Sequence, residues 1–405
     1  MELQGLYGKA MVYANELEDG AREQIINLLN QDFIGDSKVR IMPDVHQGVG
    51  CVIGFTADMG DKVIPNIVGV DIGCGILTVE LGKVDIDLTA LDKIIYNNIP
   101  SGNKVHSERK YKFHRLDELY CLRDLKNTRR IERSIGTLGG GNHFVEAGVD
   151  EDGDKYLTIH SGSRNLGKQV AEIYQRLAVE LCSGKEEYFL QRDEIIKTYK
   201  EQGKKKEIKK ALDKLAKRYK GLKPEYPKDL CYLTGVYRER YLHDMKICQE
   251  YASKNREVMA DIILNSLLGK SLKDFNYFET IHNYINFKDN IIRKGAISAY
   301  EGEKLLIPIN MRDGSILAIG KGNSRWNYSA PHGAGRLMSR RTAREQLKLE
   351  DFQESMEGIC STSVGMSTLD ESPSAYKPME DIIGSIGDTC QVLHIIKPIY
   401  NFKAN

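Results

Sequence analysis

The chain has 405 residues and carries 58 Lys+Arg against 57 Asp+Glu, a net charge of +1 with histidine neutral. Hydrophobic residues are 41% and charged residues 28%, which excludes a disordered or collagen-like polymer. Near-neutrality excludes a uniformly basic nucleic-acid glove, and no run approaches the roughly 20 apolar residues that cross a bilayer.

Residues 16–32 are predicted as an amphipathic helix, with Ala21, Ile25, Ile26, Leu28 and Leu29 at helical spacings. Short strands are predicted at Val39–Met42, Cys51–Thr56, Val63–Val70, Ile76–Leu81 and Lys155–Ile159. Residues 168–223 read as long helices. From Ser183 to Lys223 fourteen Lys/Arg stand against seven Asp/Glu, a basic helical excursion. It is either a solvated helical face or a grip on a phosphate backbone. Further helices are predicted at Tyr237–Leu268 and Arg336–Glu357, and a last strand at Val392–Lys403. No linker rich in Ser, Pro or Gly divides the chain, and it has no fixed-period repeat. The expectation is an α+β fold, one large mixed α/β domain over residues 1–405 with the basic excursion 183–223 inside it. The start, MELQGLYGKAMVYAN, lacks the order of a signal peptide, and the eight scattered cysteines form no CxxC pair. A cytoplasmic protein with reduced thiols is expected.

Several polar residues sit in unusual company. Asp71 and Cys74 are three apart in the glycine-bounded turn Val70-Asp71-Ile72-Gly73-Cys74-Gly75. His143 follows Gly139-Gly140-Gly141-Asn142, where backbone N–H groups could approach a phosphate closely. His160 ends a predicted strand before Ser161-Gly162-Ser163-Arg164, and His282 precedes Asn283. Asp71, Cys74, His143, His160 and His282 would make a mixed S/N/O ligand set suited to Mn²⁺ or Zn²⁺. Five ligands exceed one tetrahedral site, and a shared thiolate could bridge two metals for phosphoryl transfer. The alternatives are an Asx turn with a buried cysteine, and structural histidines. His332 precedes Gly333-Ala334-Gly335 and a helical pattern. It is therefore expected at a helix N-terminus, with Arg336 and Arg340 sharing one helix face. That is either a histidine nucleophile beside an anion site or a glycine-rich cap with a solvated arginine stripe.

In these strings the chain resembles the RtcB-type RNA-splicing ligases, which depend on GTP and Mn²⁺. The matching segments are Met42–His46, Val68–Gly75, Gly136–Phe144, His160–Gly167, His332–Arg340 and Lys397–Ile399, in the family's order over almost the whole chain. The resemblance implies a ligase joining an RNA 3′-phosphate or 2′,3′-cyclic phosphate to a 5′-hydroxyl. It implies one metal on Asp71, Cys74 and His143, and a second on Cys74, His160 and His282, with Cys74 bridging. His332 falls on the guanylylated histidine. Asn142, His143, Phe144, Val145, Glu146, His282, Asn283, Gly333, Ala334 and Gly335 fall on the GTP site. Tyr376 resembles a guanine neighbour, and Lys403 matches a guanine-contacting lysine. Where the family commonly has Pro-Gly-Ser-Met, this chain has Pro308-Ile309-Asn310-Met311. Ser315 lies seven residues after Pro308, where a guanine-contacting serine is expected. Val49 stands where a lysine is often found. Arg164, Arg336 and Arg340 are candidate RNA contacts. The expected partner is RNA with such ends, with an activating protein such as archease compatible with the resemblance; a monomer without membrane association is expected. Two rivals differ in what they need. A binuclear metallophosphoesterase acting on RNA ends would need the metals but not His332 or Lys403. An RNA-binding protein using the basic helices would need neither metal nor GTP.

Overall fold

In the computed structural model, which describes residues 1–35 and 37–404, the chain opens with β1 (Glu2–Gln4), β2 (Lys9–Val12), α1 (Asp19–Leu29), β3 (Val39–His46), β4 (Ile53–Asp58) and α2 (Pro65–Val68). β5 (Gly75–Gly82), α3 (Leu88–Asn98) and α4 (Thr128–Glu132) follow, then β6 (Phe144–Val149) and β7 (Lys155–Ser161). A helical stretch comes next: α5 (Arg164–Leu181), α6 (Glu186–Glu201), α7 (Ile208–Arg218) and α8 (Gly235–Leu268). The chain returns to strands in β8 (Asn276–Ile281), β9 (Asn283–Ile285), β10 (Ile291–Lys294), β11 (Ala296–Ser298), β12 (Lys304–Asn310), β13 (Gly314–Gly320) and β14 (Ser329–Pro331). Then come α9 (Arg340–Gln346), α10 (Leu349–Ser355), α11 (Met379–Ile386) and β15 (Cys390–Lys403). Among the described residues no helix is long and apolar enough to cross a membrane.

The result is a mixed α/β, α+β architecture. Six strands pair in the order β1-β2-β3-β4-β10-β9, and seven in the order β12-β13-β15-β6-β7-β5-β8; β11 and β14 form a small ribbon. Among the strands of the described residues only β2 and β3 pair in parallel, which needs the crossover helix α1 between them. The seven-stranded sheet is buried on both faces by period-2 alternation. On β6, Val145 and Ala147 pack with Leu157 and Ile159, while Phe144 and Glu146 point to the opposite face. α8 has 34 residues, roughly 50 Å at 1.5 Å per residue. Its first half places Tyr241, Met245, Cys248 and Tyr251 in the core beneath the six-stranded sheet. Its second half places Met259, Ala260, Ile263 and Leu264 against the seven-stranded sheet. One helix therefore ties both cores together.

Two predicted elements take other forms. In Val63–Val70 only Val63 pairs, in an isolated bridge to Leu233. Pro65, whose ring fixes φ, opens the helical turn α2 instead, and Gly69 at φ +101° ends it. Arg336–Glu357 is not one helix. Arg336 is held by an antiparallel bridge to Tyr376, and the Ser339 side chain accepts from Thr342 N, so α9 starts only at Arg340. His332 consequently lies in a bend directly after β14 and is not at a helix N-terminus, and Arg336 and Arg340 share no helix face. The excursion 183–223 is helical as expected. Phe189 of α6 and Leu215 of α7 are buried.

Candidate active site

The candidate ligands lie at strand ends, so the sheet fixes their backbones. Cys74 precedes β5, His143 precedes β6, His160 is on β7, and His282 separates β8 from β9. β5 pairs with β7 in the register Ile76↔His160 and with β8 in the register Gly75↔Ile281; β6 pairs with β7 as Phe144↔His160. These pairings bring four segments far apart in sequence to one point. Cys74 Sγ lies 3.4 Å from Nε2 of both His143 and His160, and His160 Nε2 lies 3.5 Å from His282 Nε2. Asp71 Oδ2 is 3.2 Å from His143 Nε2. Two donor groups result, Asp71–Cys74–His143 and Cys74–His160–His282, each with its ligand atoms within 4.8 Å of one another, and they share Cys74.

The donor chemistry fits metal cations. His143 Nδ1 is 2.9 Å from the Leu138 carbonyl, which accepts its proton and leaves the Nε2 lone pair facing the cluster. Burial, and then the neighbouring imidazoles, push His160 and His282 well below the ordinary histidine range, so both are neutral. Neutral imidazoles and a sulfur this close hold too few protons to satisfy one another, and a cation would satisfy all of them. Burial and the Asp71 carboxylate push the Cys74 thiol up, a penalty that a bound divalent cation reverses. Burial works against the Asp71 carboxylate as well, but His143 and Arg164 outweigh it and hold the group below its usual range.

The glycines around the cluster make room for side chains. A Cβ at Gly162 would lie 2.2 Å from Asp71 Oδ1, and one at Gly139 would lie 1.8 Å from the Arg164 guanidinium. The space at Gly139 in the Gly139–Gly141 run is thus taken by Arg164, not by a phosphate. Arg164 has φ +57°, unusual for a residue with a Cβ, and its Nη1 lies 3.4 Å from His143 Nδ1. It supports the metal-side cluster from below. Gly335, at φ +77°, is required where the Asp44 backbone passes; a Cβ there would meet its carbonyl oxygen at 2.6 Å.

His332 stands beside this cluster, its ring centroid 4.8 Å from that of His282. The fully buried Asp44 takes both its backbone N–H, at 3.1 Å, and its Nδ1, at 2.6 Å. With Nδ1–H donated to Asp44, Nε2 carries the free lone pair.

A pocket of about 250 Å³ opens next to His332. Asn142, Phe144, Glu146, Pro308–Met311, Ser315, His332–Gly335, Arg336, Arg340, Tyr376 and Lys403 line it. Most residues expected at the nucleotide site are therefore gathered in one place. His143 and His282 stand in the ligand cluster and not in the lining, and strand alternation turns Val145 into the opposite core. Asn283 is not in the lining either; it donates to the Asp71 carbonyl at 3.2 Å and accepts from Gly295 N at 3.0 Å, bracing the ligand loop. The pocket holds buried polar atoms without partners, Glu146 Oε1, Ser315 Oγ and Asn401 Oδ1. Such atoms fit a polar ligand. Burial pushes the Glu146 carboxyl up to about 8, against the opposing pull of Asn401 and Lys403. Glu371 behaves in the other direction. Burial disfavours its charge, but Lys403 at 2.6 Å and Arg340 at 2.5 Å outweigh burial and hold it at about 2. Arg336 Nη1 also lies 3.6 Å from Glu371, and Tyr376 Oη donates to it at 2.7 Å. Arg336 and Arg340 thus converge on one acid without sharing a helix.

Sequence reading missed Asp44 as a partner of His332, although Asp44 lies inside the Met42–His46 segment. It missed Glu371 and Asn401 in the pocket. It also missed two braces on α8. Asn255 Oδ1 accepts from Gly136 N and Thr137 N, and the fully buried Arg256 donates to the carbonyls of Gly73 and Ser161. These bonds tie together the loops that carry Cys74, His143 and His160.

Comparison with known proteins gives the family. The family model described as tRNA-splicing ligase RtcB matches residues 24–124 and 121–404. The RNA-splicing ligase RtcB of Escherichia coli strain K12 is 28% identical, with 96% of this chain and 95% of that protein covered. The tRNA-splicing ligase RtcB of Archaeoglobus fulgidus is 26% identical, covering 91% of this chain and 87% of its own. The RNA-splicing ligase RtcB homolog 2 of Entamoeba dispar is 25% identical, covering 91% and 80%. With the model matched over nearly its whole length, this chain belongs to the RtcB family of tRNA-splicing ligases.

Proposed function

We propose that the protein is an RNA ligase that joins 3′-phosphate or 2′,3′-cyclic phosphate ends to 5′-hydroxyl ends, using GTP and Mn²⁺, with His332 carrying GMP between steps. The observation that carries this reading is the pairing of His332 with Asp44, which leaves one ring nitrogen free between a metal-ligand cluster and a pocket with unsatisfied polar atoms. Asp71, Cys74 and His143 would hold one Mn²⁺, and Cys74, His160 and His282 the other. When bound, the metals supply charge stabilisation at phosphoryl oxygens.

The chain's own residues do the rest. His332 Nε2 attacks the α-phosphorus of GTP; the bond to the β-phosphate oxygen breaks and pyrophosphate leaves. Asp44 keeps the Nδ1 proton in place and offsets the positive charge on the ring. An RNA 3′-phosphate oxygen, produced by hydrolysis when the end is cyclic, takes GMP from His332 and the neutral imidazole departs. The 5′-hydroxyl then attacks the activated 3′-phosphate, GMP leaves, and the phosphodiester is complete. In the pocket, Glu146 faces the base, Lys403 and Tyr376 frame it through Glu371, and Ser315 offers a hydroxyl. Arg336 and Arg340 lie at the rim for RNA phosphates. The setting is the cytoplasm, and the chain acts as a monomer that an archease-type protein can assist.

A plain phosphoesterase would leave Asp44, His332 and the nucleotide pocket without a task. Incubation with α-labelled GTP and Mn²⁺, then denaturing electrophoresis, tests the reading. A labelled protein band, acid-labile and alkali-stable as a phosphoramidate, is expected. Removal of terminal phosphates with no labelled band would overturn it.

A further inference from the structure

A second surface lies away from the ends being joined. From Lys204 to Lys223 the chain carries ten Lys/Arg and two acids, Glu207 and Asp213. All ten cations are exposed, and among the described residues none makes an ion pair; Arg218 donates to Gln191. α7 buries Leu215 and turns its lysines outward. Ten cations against two acids, with no ion pair among the described residues, repel one another, so this face is best satisfied by an external polyanion.

Where α6 packs on α5 and α8, a cleft of about 230 Å³ carries a different chemistry. Arg176, Arg192 and Arg240 line it with Tyr120 and Tyr237. The Arg240 guanidinium lies 5.6 Å from the Tyr120 ring and 5.8 Å from the Tyr237 ring, and Tyr120 is 61% exposed. Asp124 and Glu180 also line the cleft, and Asp193 pairs with Arg192, so Arg176 and Arg240 are the cations left over. Exposed tyrosine beside guanidinium is the combination that stacks unpaired bases and holds phosphates.

The helices give the spacing. Arg164, at the start of α5, touches His143, and Arg176 is twelve residues further on, about 18 Å along the axis. The Gly73 turn packs on Gln249 of α8, and Arg240 is nine residues earlier, about 14 Å. The cleft thus lies within about 20 Å of the loops that carry the ligands, shorter than one turn of an RNA duplex, and Arg218 of α7 bonds Gln191 of α6, the neighbour of the cleft-lining Arg192.

We propose that the Tyr120–Arg240 cleft and the lysine face of α7 form one continuous RNA-binding surface that grips the body of the substrate rather than its ends. This deepens the RNA-ligase reading and rests on it for the identity of the polyanion. A phosphate-gripping surface predicts that short RNAs escape it and RNAs longer than about one turn engage it.

The test uses the full chain and a stem-loop RNA of about twenty base pairs with 3′- and 5′-hydroxyl ends, on which no end chemistry is possible. Affinity is measured over a salt series. The variant with Lys204, Lys205, Lys206, Lys209 and Lys210 changed to Gln should bind more weakly, and its salt slope should fall by about 0.7–0.9 for each phosphate no longer neutralised. Tyr120→Ala should weaken binding about five-fold or more without changing the slope, as removal of a stacking ring does. Both variants should self-guanylylate at the wild-type rate and raise KM for long RNA ends only. Unchanged affinity and slope in both variants would overturn the proposal. So would a wild type that binds polyglutamate as tightly as the stem-loop, which would mark the face as a site for an acidic protein. If the variants lose RNA but the wild type forms no GMP adduct, the surface stands and the ligase reading fails.

Discussion

The ligand cluster and the basic hairpin solve opposite problems. At the cluster, five donor side chains are held by strand register, by glycines that leave no alternative space, and by the buried braces Asn255 and Arg256. Few residues carry the whole task, and each has several constraints. On the hairpin, ten exposed cations have almost none, and any one of them can be replaced by its neighbours. Precise chemistry needs the first design, while attraction to a long polyanion is served by the second. Single substitutions should therefore be catastrophic in one region and nearly silent in the other.

The largest effect is expected at His332. His332→Ala should bind Mn²⁺ and GTP yet form no adduct, and ligation should fall on the order of 10⁶-fold, as for loss of a nucleophile. It should still join RNA whose 3′-phosphate was guanylylated beforehand. Normal self-guanylylation by this variant would move the nucleophile elsewhere. Next comes the shared ligand. Cys74→Ala should lower occupancy of both metals, and His160→Ala mainly one, by metal analysis of the purified variants. Unchanged stoichiometry in Cys74→Ala would remove the bridge.

Asp44→Asn sharpens the comparison, because it keeps the side chain's shape but removes the charge and the acceptor that hold the His332 Nδ1 proton. It should slow adduct formation roughly 10²–10⁴-fold through the wrong tautomer, with GTP binding little changed. Equal loss of binding and rate would make Asp44 a structural residue. Glu146 gives a smaller, pH-dependent effect. Its folded carboxyl titrates near 8 and an unfolded one near 4.5. The native state therefore holds the extra proton, and stability falls as pH rises between these values. Glu146→Gln should be more stable than the wild type by a few kcal/mol at pH 8, and the gain should shrink toward pH 5. Asn401 can turn its unpartnered Oδ1 toward the new amide. Thermal melts of both proteins at the two pH values check this, and a gain that does not change with pH would count against it. The smallest effect per residue belongs to the hairpin: any single Lys→Gln there should change RNA affinity only slightly.

The site was more legible in the sequence than the fold around it. Cys74, His143, His160 and His282 each stand beside Gly, Asn or Ser, company that an apolar core position lacks, and Asp71 lies two residues from Gly69 and from Gly73. Asp44 was visible as a letter but not as a partner, because His332 is 288 residues away. Asn255 and Arg256 are polar residues on a long helix, and nothing in their local sequence marks them as buried. Only the packing of α8 under the loops shows them buried. Arg336–Glu357 has helical spacing, but the bridge to Tyr376 overrides that local preference at its start. For Val63–Val70, β-branched residues suggested a strand, and the Pro65 ring decided otherwise.

β15 lies between β13 and β6, in the middle of the larger sheet, yet it is made after all its neighbours. At 5–20 residues per second, roughly 5–20 s separate synthesis of His282, the last of the donors, from that of Cys390. During that interval a nascent chain carries the donor side chains but lacks the strand that seats Lys403 and Asn401 in the pocket. Translation thus imposes a delay before this end of the pocket can close, and the complete site exists only once that strand has left the ribosome.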